Sequence, residues 1–495
     1  MVGDNESGKS SILSAIDLVL SGSIHKIETL GLDNLFNTDA IKKFFTTKTY
    51  ETLPKLIIEL YFDDIKDEEF FGRNNSLEKD HFGISLICSP KEEFSKDISD
   101  ILKQSTNNFP YEYYSISFIK FSGNTYNTYL KKQFKHILLD NTMIDNEYAT
   151  DLFVKTLYNC SVSKVEKNKH LNEYRNFKLK FKEKVLKCLN DRISKGRYEF
   201  SIKNNTKFNL ETDLTITEDD VDLQNRGKGR QCFIKTEFAL QKNEDELDII
   251  LLEEPENHLS HINMLKLIER LNESQNKQLF IATHNNLISA RLDLRNSILL
   301  NSSSEKPIVL EELSEETAKF FVKSSYNNIL EFILSSRVIL VEGDTEYILL
   351  EKFFELETGE KPNLSDIHII SAGGKRFKRY MEVANLLKIK TAVITDNDKD
   401  YQNKCVDNYT SYNSENVKVF YETDNDIYTF EISLYNNNKE ICDEIFREKL
   451  KKNKDVKQYI LNNKTECALE LLDKKGDELT VPEYIKESIK WLREN

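Results

Sequence analysis

Four apolar residues lead directly into adjacent acids in the stretch Ile249-Ile250-Leu251-Leu252-Glu253-Glu254-Pro255-Glu256-Asn257-His258. A short strand without polar residues is expected to be buried on both faces of a parallel sheet. The proline ends the strand, so both acids lie at its carboxyl end. At such a position Glu253 would hold the water of a metal ion, and Glu254 would act as a general base for an attacking water.

A phosphate-binding loop is predicted at the start of the chain, in Gly3-Asp4-Asn5-Glu6-Ser7-Gly8-Lys9-Ser10. In the pattern G-x-x-x-x-G-K-[ST], backbone N–H groups surround phosphate oxygens, the lysine reaches the β and γ phosphates, and the hydroxyl ligates Mg²⁺. The helix that follows adds the positive end of its dipole. The nucleotide-binding residues predicted here are Gly3, Asn5, Gly8, Lys9, Ser10 and Ser11.

Two further segments are assigned to the predicted nucleotide site. A second apolar strand, 279–282, ends at Thr283-His284, where a histidine can contact the γ-phosphate. The glycine-rich segment 224–231 precedes a helix and can bind the γ-phosphate of ATP held by a second subunit. A flexible surface loop would have the same composition, so this segment gains weight only from the order of the motifs. Its predicted binding residues are Gly227, Gly229 and Gln231.

The order of these motifs resembles the ABC-type ATPase heads of SMC, RecF and OLD-family proteins over roughly residues 1–310. The resemblance implies an ABC/AAA-type ATPase domain over 1–320. The polar region of about 124–205 is interpreted as a helical arm or dimerisation insertion. Because only Met1 and Val2 precede Gly3, we expect this domain to lack the first strands of its fold, which leaves ATP hydrolysis open.

A second set of acids follows the strands of an α/β unit that begins near Arg337. Glu342 closes one strand and Glu346 lies in the next helical turn, while Asp396 and Asp398 are expected to point the same way from the end of strand 391–395. The carboxyl ends of parallel strands form one crevice, so these acids should converge. Converging carboxylates need cations between them, and oxygen ligands favour Mg²⁺ or Mn²⁺. Two such ions suit phosphodiester hydrolysis.

These acids, with the glycine turn 371–375, resemble a Toprim domain, a fold that also serves topoisomerases and primases. An ABC-type head followed by Toprim is similar to the OLD (overcoming lysogenization defect) family of endonucleases. The resemblance implies that Glu431, in Tyr428-Thr429-Phe430-Glu431, completes the metal shell and that Lys464 neutralises charge on the scissile phosphate. The predicted catalytic residues are Glu254, His284, Glu342, Asp396, Asp398 and Lys464, and the predicted metal ligands are Ser10, Glu342, Glu346, Asp396, Asp398 and Glu431.

The expected fold class is α/β, with an ABC-type ATPase head carrying a helical insertion, a parallel-sheet, Rossmann-like Toprim domain over 335–495, and a helical C-terminal region. The resemblance implies a metal-dependent DNA endonuclease that uses ATP, dimerises through its heads, and acts in prokaryotic anti-phage defence, as in Gabija-type or retron-associated systems. A helicase, or a reverse transcriptase with its RNA and DNA, is the kind of partner this implies. Three alternatives stay open: a RecF- or SMC-like DNA-repair clamp with an inactive Toprim domain, an RNA-processing or primase-like enzyme, and a pure nuclease whose head does not hydrolyse ATP.

Length and composition limit the number of domains and the classes of protein that the sequence fits. A chain of 495 residues is too long for one ordinary core. Its 83 acidic and 69 basic residues give a net charge of -14, which argues against a protein that coats nucleic acid but not against a nuclease with local basic residues. The 7 cysteines have no CxxC spacing and are expected to be reduced thiols. Without a signal peptide or an apolar run of about 18 residues, we expect a cytoplasmic protein.

Overall fold

The computed structural model describes residues 1–3, 6–63, 65–103, 108–143, 147–193, 198–203, 209–240, 247–274, 277–300, 307–324, 328–450 and 455–494. The chain forms two compact units. The N-terminal unit is Gly8–Ala282, and the C-terminal unit combines Met1–Ser7 with Thr283–Asn495. The predicted boundary between an ATPase domain and a Toprim domain, at 320–335, lies elsewhere and stays a prediction.

The strands are short, as parallel α/β sheets require. In chain order they are β1 Val2–Gly3, β2 Leu56–Phe62, β3 Phe71–Gly72, β4 His81–Pro90, β5 Tyr114–Lys120, β6 His136–Asp140, β7 Thr217–Glu218, β8 Val221–Asp222, β9 Ile249–Glu253, β10 Gln278–Ala282, β11 Ile298–Leu300, β12 Ile308–Val309, β13 Arg337–Val341, β14 Ile367–Ser371, β15 Lys390–Ile394 and β16 Val417–Phe420.

The α-helices are more numerous than the strands. In chain order they are α1 Lys9–Ser21, α2 Ile24–Leu30, α3 Leu32–Leu35, α4 Thr38–Thr47, α5 Ser95–Leu102, α6 Glu147–Ser161, α7 Lys164–Lys184, α8 Lys187–Ile193, α9 Leu210–Asp213, α10 Lys228–Leu240, α11 His261–Glu273, α12 Asn286–Arg291, α13 Glu315–Lys323, α14 Ile329–Leu334, α15 Asp344–Thr358, α16 Phe377–Leu387, α17 Phe430–Asn437, α18 Lys439–Phe446, α19 Val456–Asn462, α20 Lys464–Lys475 and α21 Glu483–Arg493.

The N-terminal unit contains a parallel sheet in the order β10-β9-β6 and an antiparallel sheet built from β2, β4, β3 and β5. Strand β9 is central, and its Ile250, Leu251 and Leu252 are fully buried, as predicted for a strand covered on both faces. Strand β6 lies inside the region 124–205, which the sequence analysis assigned to a helical arm. Its residues 137–139 are apolar and pair with β9 in parallel. Among the described residues of that region, the α-helices are α6, α7 and α8.

The C-terminal unit is built around a parallel sheet in the order β14-β13-β15-β16. One hydrophobic cluster joins this sheet to α13, α14 and α16, and another joins it to α15 and the C-terminal helices. Helices α13 and α14 precede the first strand of this sheet in the chain. A small sheet, β1-β11-β12, completes the unit.

Strand β1 supplies backbone immediately before the phosphate loop. Val2 and Gly3 pair in parallel with Leu299 and Leu300 of β11. Within the described part of the chain, no helix is both long enough and apolar enough to cross a membrane.

Substitution of Leu340 by Ala should destabilise the C-terminal unit, because this side chain is fully buried in the central strand β13. The expected loss is about 2–5 kcal/mol of unfolding free energy, the range for large-to-small changes in a core. Chemical denaturation monitored by circular dichroism measures it. The matched control is Leu364→Ala, whose side chain is 79% exposed and should cost little. Equal losses in the two variants would contradict the assigned core.

Candidate functional site

Four acids of the C-terminal unit form what we call the carboxylate cluster: Glu342, Glu346, Asp396 and Glu431. Glu342 directly follows β13, Glu346 lies in the first turn of α15, Asp396 follows β15, and Glu431 lies in the first turn of α17. Strands β13 and β15 are parallel neighbours, so their carboxyl ends meet at one edge of the sheet. Glu346 and Glu431 are buried, with 8% and 3% of their surface exposed.

Burial and mutual repulsion govern the electrostatics of this cluster. Burial raises the pKa of Asp396 to about 8, and the neighbouring Glu346, Glu342 and Glu431 reinforce the shift. Burial likewise raises the pKa of Glu346 to about 7, with Glu431 and Glu342 adding to it. The pKa of Glu342 is also raised by burial, although Lys375 and Lys464 oppose the effect. The acids can therefore be fully ionised together only if positive charge is brought to them.

Two lysines already supply some of that charge. Lys464, the first residue of α20, donates a hydrogen bond to Glu431 Oε1 at 2.9 Å. Burial alone would lower the pKa of Lys464, but Glu431, Asp396 and Glu346 raise it instead. Lys375 forms an ion pair with Asp398. The predicted charge-neutralising lysine, Lys464, thus lies beside the predicted acids.

The loop after β15 places Asp396 and Asp398 differently from the sequence prediction. Strand β15 ends at Ile394, so neither acid is part of it. Asp396 Oδ1 accepts a hydrogen bond from Phe430 N at 2.8 Å, whereas Asp398 has a left-handed backbone (φ 49) and turns its side chain to Lys375. The two-residue spacing failed as a guide because strand alternation does not continue into a loop.

A buried asparagine between the two aspartates holds this loop in place. Asn397 Nδ2 donates to the carbonyl oxygens of Glu422 (2.7 Å) and Asp424 (2.9 Å), and Asn397 Oδ1 accepts from Lys399 N at 2.9 Å. No role was predicted for Asn397. The sequence alone does not show that Asn397 is buried, because a polar residue between two metal ligands is expected to be exposed.

The donor set fits divalent cations. Glu342 Oε2 and Glu431 Oε2 are buried, and within the described residues no group donates a hydrogen bond to either atom. Such atoms carry a large desolvation cost unless a cation or a proton accompanies them. Because every candidate ligand is an oxygen, Mg²⁺ or Mn²⁺ suits the cluster better than zinc. Glu342, Glu346, Asp396 and Glu431 are the residues that would hold the ions, with Asp398 at the edge.

Within the N-terminal unit, four of the predicted nucleotide-site residues come together. Gly8 has φ 91 and starts α1, Lys9 is buried, and the Ser10 hydroxyl hydrogen-bonds Glu253. Burial raises the pKa of Glu253, Ser10 and Lys9 oppose the shift, and Asp140 adds to it. This arrangement is the one required of a phosphate-loop serine and a metal-holding acid.

Asp140 is a residue that the sequence analysis missed. It ends β6 and pairs in register with Glu253 at the end of β9. The signal existed, because Ile137-Leu138-Leu139-Asp140 repeats the apolar-run-then-acid pattern of Leu251-Leu252-Glu253. It was overlooked because the surrounding region is polar.

The other predicted nucleotide-site residues differ in burial and in backbone conformation. Ser11 and His284 are exposed, and Asn5 lies outside the described residues. Glu254 has a left-handed backbone (φ 46), and its N–H donates to Ala282 O at 2.9 Å. A Cβ on Gly3 would lie 2.2 Å from Leu300 O, so β1 can approach β11 only with glycine there. The roles of these residues toward a nucleotide stay predictions.

The glycine-rich segment has a packing function. A Cβ on Gly229 would lie 2.2 Å from His258 O, so the start of α10 can approach the loop after β9 only with glycine there. Gln231 is buried, and its Nε2 donates to Arg226 O at 2.8 Å and to Gln224 O at 3.2 Å. Gly227, by contrast, has open space around it. Binding of a second subunit's nucleotide by these residues stays a prediction.

Two known families match separate segments of the chain. Residues 1–290 match the family described as AAA domain, putative AbiEii toxin, Type IV TA system. Residues 333–398 match the TOPRIM domain of overcoming lysogenization defect protein-like proteins.

The chain is also similar to individual proteins and to a solved structure. The chain is 32% identical over 163 residues to Endonuclease GajA of Bacillus cereus (strain VD045), which is 32% of this chain and 28% of that protein. It is 29% identical over 177 residues to the Old nuclease of Escherichia phage P2, which is 33% of this chain and 30% of that protein. The chain thus matches less than a third of each relative's length. A solved structure of the C-terminal region of the Xanthomonas campestris pv. campestris OLD protein shares 18% identity, covers 32% of this chain and 94% of its own, and has a TM-score of 0.25.

The raised pKa values predict how pH and metal act on stability. The unfolded reference for Asp396 is 3.8 and its folded value is about 8, so the folded state holds an extra proton between those values. Without divalent metal this group therefore lowers stability as pH rises from about 4 to about 8. Relative to wild type, Asp396→Asn should gain melting temperature in EDTA over that range. Mg²⁺ should stabilise wild type more at pH 8 than at pH 5.

Differential scanning fluorimetry from pH 5 to 8.5, with EDTA or Mg²⁺, makes this measurement. The control is Asp366→Asn, an exposed acid after the 3₁₀ turn that precedes β14. A melting-temperature difference between wild type and Asp396→Asn that does not change with pH would show that Asp396 is not the proton-binding acid described here.

Proposed function

We propose that this chain, which belongs to the OLD family of proteins that join an AAA domain to a Toprim domain, is a divalent-metal-dependent DNA endonuclease. The observation that carries the proposal is the carboxylate cluster: four convergent acids, of which Asp396, Glu346 and Glu342 have raised pKa values, with two lysines at the rim. A cluster of this kind costs stability unless it binds cations. A role in binding cations therefore explains the presence of this cluster better than a role in stabilising the fold.

The proposed chemistry divides between the ions and the protein. Divalent cations held by the cluster would supply an activated water and stabilise the oxygen that leaves the phosphodiester. Lys464, whose side chain is 47% exposed, offers its ammonium to a phosphate oxygen while its other partner, Glu431, is 3% exposed. The Phe430 N–H fixes the orientation of Asp396 toward the cluster.

Nuclease activity is proposed from the relatives, whereas DNA as substrate and a role in anti-phage defence are proposed from the resemblance to the OLD family. The two relatives named above are an endonuclease and a nuclease, and the chain matches 28% and 30% of their lengths. We carry their activity over to this chain as a proposal, supported by the cluster at the matched Toprim domain. Dimerisation through the AAA domain and a cytoplasmic site of action belong to the same proposal.

The proposed role of ATP is to gate cleavage. Lys9, Ser10 and Glu253 lie together in the N-terminal unit with the contacts that a phosphate and its Mg²⁺ need. Family membership supports an AAA domain over 1–290. Asp140 is the additional acid that would take part in holding the metal ion or its waters.

Plasmid cleavage with Mg²⁺ or Mn²⁺ tests the nuclease. Wild type should nick or cut, Asp396→Asn should be inactive, and Lys464→Ala should lose roughly 10²–10³-fold in rate, the usual loss when one charge-stabilising group is removed. The exposed Asp366→Asn serves as the matched control and should keep wild-type activity. If wild type does not cleave DNA but binds it, the clamp alternative is favoured. Cleavage of RNA alone would favour the RNA-processing alternative.

Substitution of Lys9 by Ala should abolish ATP binding, because the buried ammonium would be lost from the phosphate loop. Fluorescent ATP-analogue binding measures this directly, and the exposed Lys42→Ala in α4 is the matched control. The cleavage assay then shows the direction of gating. Activity of Lys9→Ala that equals that of wild type, at every ATP concentration, would contradict gating while leaving the nuclease proposal intact.

A further inference from the structure

We propose that Lys375 is a substrate-binding residue that contacts a phosphate of the nucleic acid at the edge of the carboxylate cluster. Asp398 holds its ammonium in that place until substrate arrives. The inference rests on the proposed nuclease function and adds a second phosphate-binding cation to Lys464.

The turn that carries Lys375 is fastened to the strand end that carries Glu342. Gly374 N donates to Glu342 O at 2.7 Å, and Ala372 N donates to Val341 O at 2.9 Å. Gly373 and Gly374 have left-handed backbones, with φ 66 and 108. A Cβ at Gly374 would meet nothing within 4 Å, so glycine is needed there for its backbone conformation and not for space. The backbone alone therefore keeps the turn beside the cluster.

Lys375 and Lys464 serve different ends of the cluster. After burial, Lys375 is the largest influence on the pKa of Glu342, which it lowers. Lys464 is bonded to Glu431, and its own pKa is raised by Glu431, Asp396 and Glu346. A phosphodiester strand that crosses the cluster would thus meet one cation near Glu342 and the other near Glu431. Neither lysine alone could neutralise both ends.

The pair between Lys375 and Asp398 has the properties of a contact that can be exchanged. Their side chains are 37% and 43% exposed, and an exposed ion pair contributes at most about 1 kcal/mol. Asp398 and the next residue, Lys399, nevertheless occupy left-handed backbone, with φ 49 and 71. Strain of that kind is usually kept for function. A phosphate oxygen can replace the carboxylate, because both accept charge-assisted hydrogen bonds from an ammonium and the exposed pair that is lost is weak.

The salt dependence of DNA binding tests this proposal without relying on cleavage. Anisotropy of labelled duplex DNA is measured in Ca²⁺ at several KCl concentrations, for wild type, Lys375→Ala and Lys375→Arg. Loss of one phosphate contact should reduce the slope of log K against log salt by about 0.9 in Lys375→Ala. Lys375→Arg should keep the slope. The control is Lys388→Ala, an exposed lysine at the other end of α16.

A second measurement isolates the exchange between Asp398 and the phosphate. In EDTA, Asp398→Asn should tighten DNA binding, and the gain should shrink when Lys375→Ala is also present. Melting temperatures of all variants verify folding. An unchanged salt slope in Lys375→Ala, or equal gains from Asp398→Asn with and without Lys375, would overturn the inference and leave Lys375 as a counter-ion. If wild type binds no DNA at all, the proposed function fails and this inference fails with it.

Discussion

The interaction on which the candidate active site depends is repulsion among buried carboxylates. Glu342, Glu346, Asp396 and Glu431 are placed at one sheet edge, and burial and mutual charge raise the pKa of Asp396 to about 8 and that of Glu346 to about 7. At neutral pH the cluster is therefore close to its own titration. Protons and divalent cations compete for the same oxygens, so the protonation state of the cluster and its metal content cannot be varied independently.

The parallel sheet makes this arrangement possible. Strands β13 and β15 are neighbours that pair in parallel over four residues, so Glu342 and Asp396 follow adjacent strands. Glu346 and Glu431 are then added by the first turns of α15 and α17, whose helix dipoles favour acids at that end. Apolar clusters cover both faces of the sheet, which buries the edge from which the acids project. Packing of these apolar clusters therefore has two effects. It lowers the polarity around the acids, which raises the pKa values of Asp396, Glu346 and Glu342, and it holds the ligands rigidly.

Sequence patterns predicted the elements better than the loops between them. Strand β15, predicted over 391–395 and found over Lys390–Ile394, and the start of β13 at Arg337 were predicted to within one residue, because apolar runs alternate with amphipathic helices there. Strand β16 was not predicted. Strand β6 was missed because its five residues lie in a Lys- and Asn-rich region whose composition favours a solvated arm. The placement of Asp398 was wrong because two-residue alternation holds only inside a strand. No local pattern encodes the left-handed turn at Asp398 or the amide that holds it, since both depend on the carbonyls of the segment 422–427.

Charge balance is the reason to regard the two rim lysines as parts of one site. A phosphodiester brings negative charge to an edge of the fold that already carries several acids, and the chain as a whole has a net charge of -14. Long-range attraction between the chain and DNA is therefore not available, and affinity must come from local cations and from bound metal ions. Lys464 is held by a buried acid and Lys375 by an exposed one. Lys464 is therefore fixed in place, whereas Lys375 can exchange its partner. Substrate binding can then move Lys375 without disturbing the carboxylates that Lys464 holds.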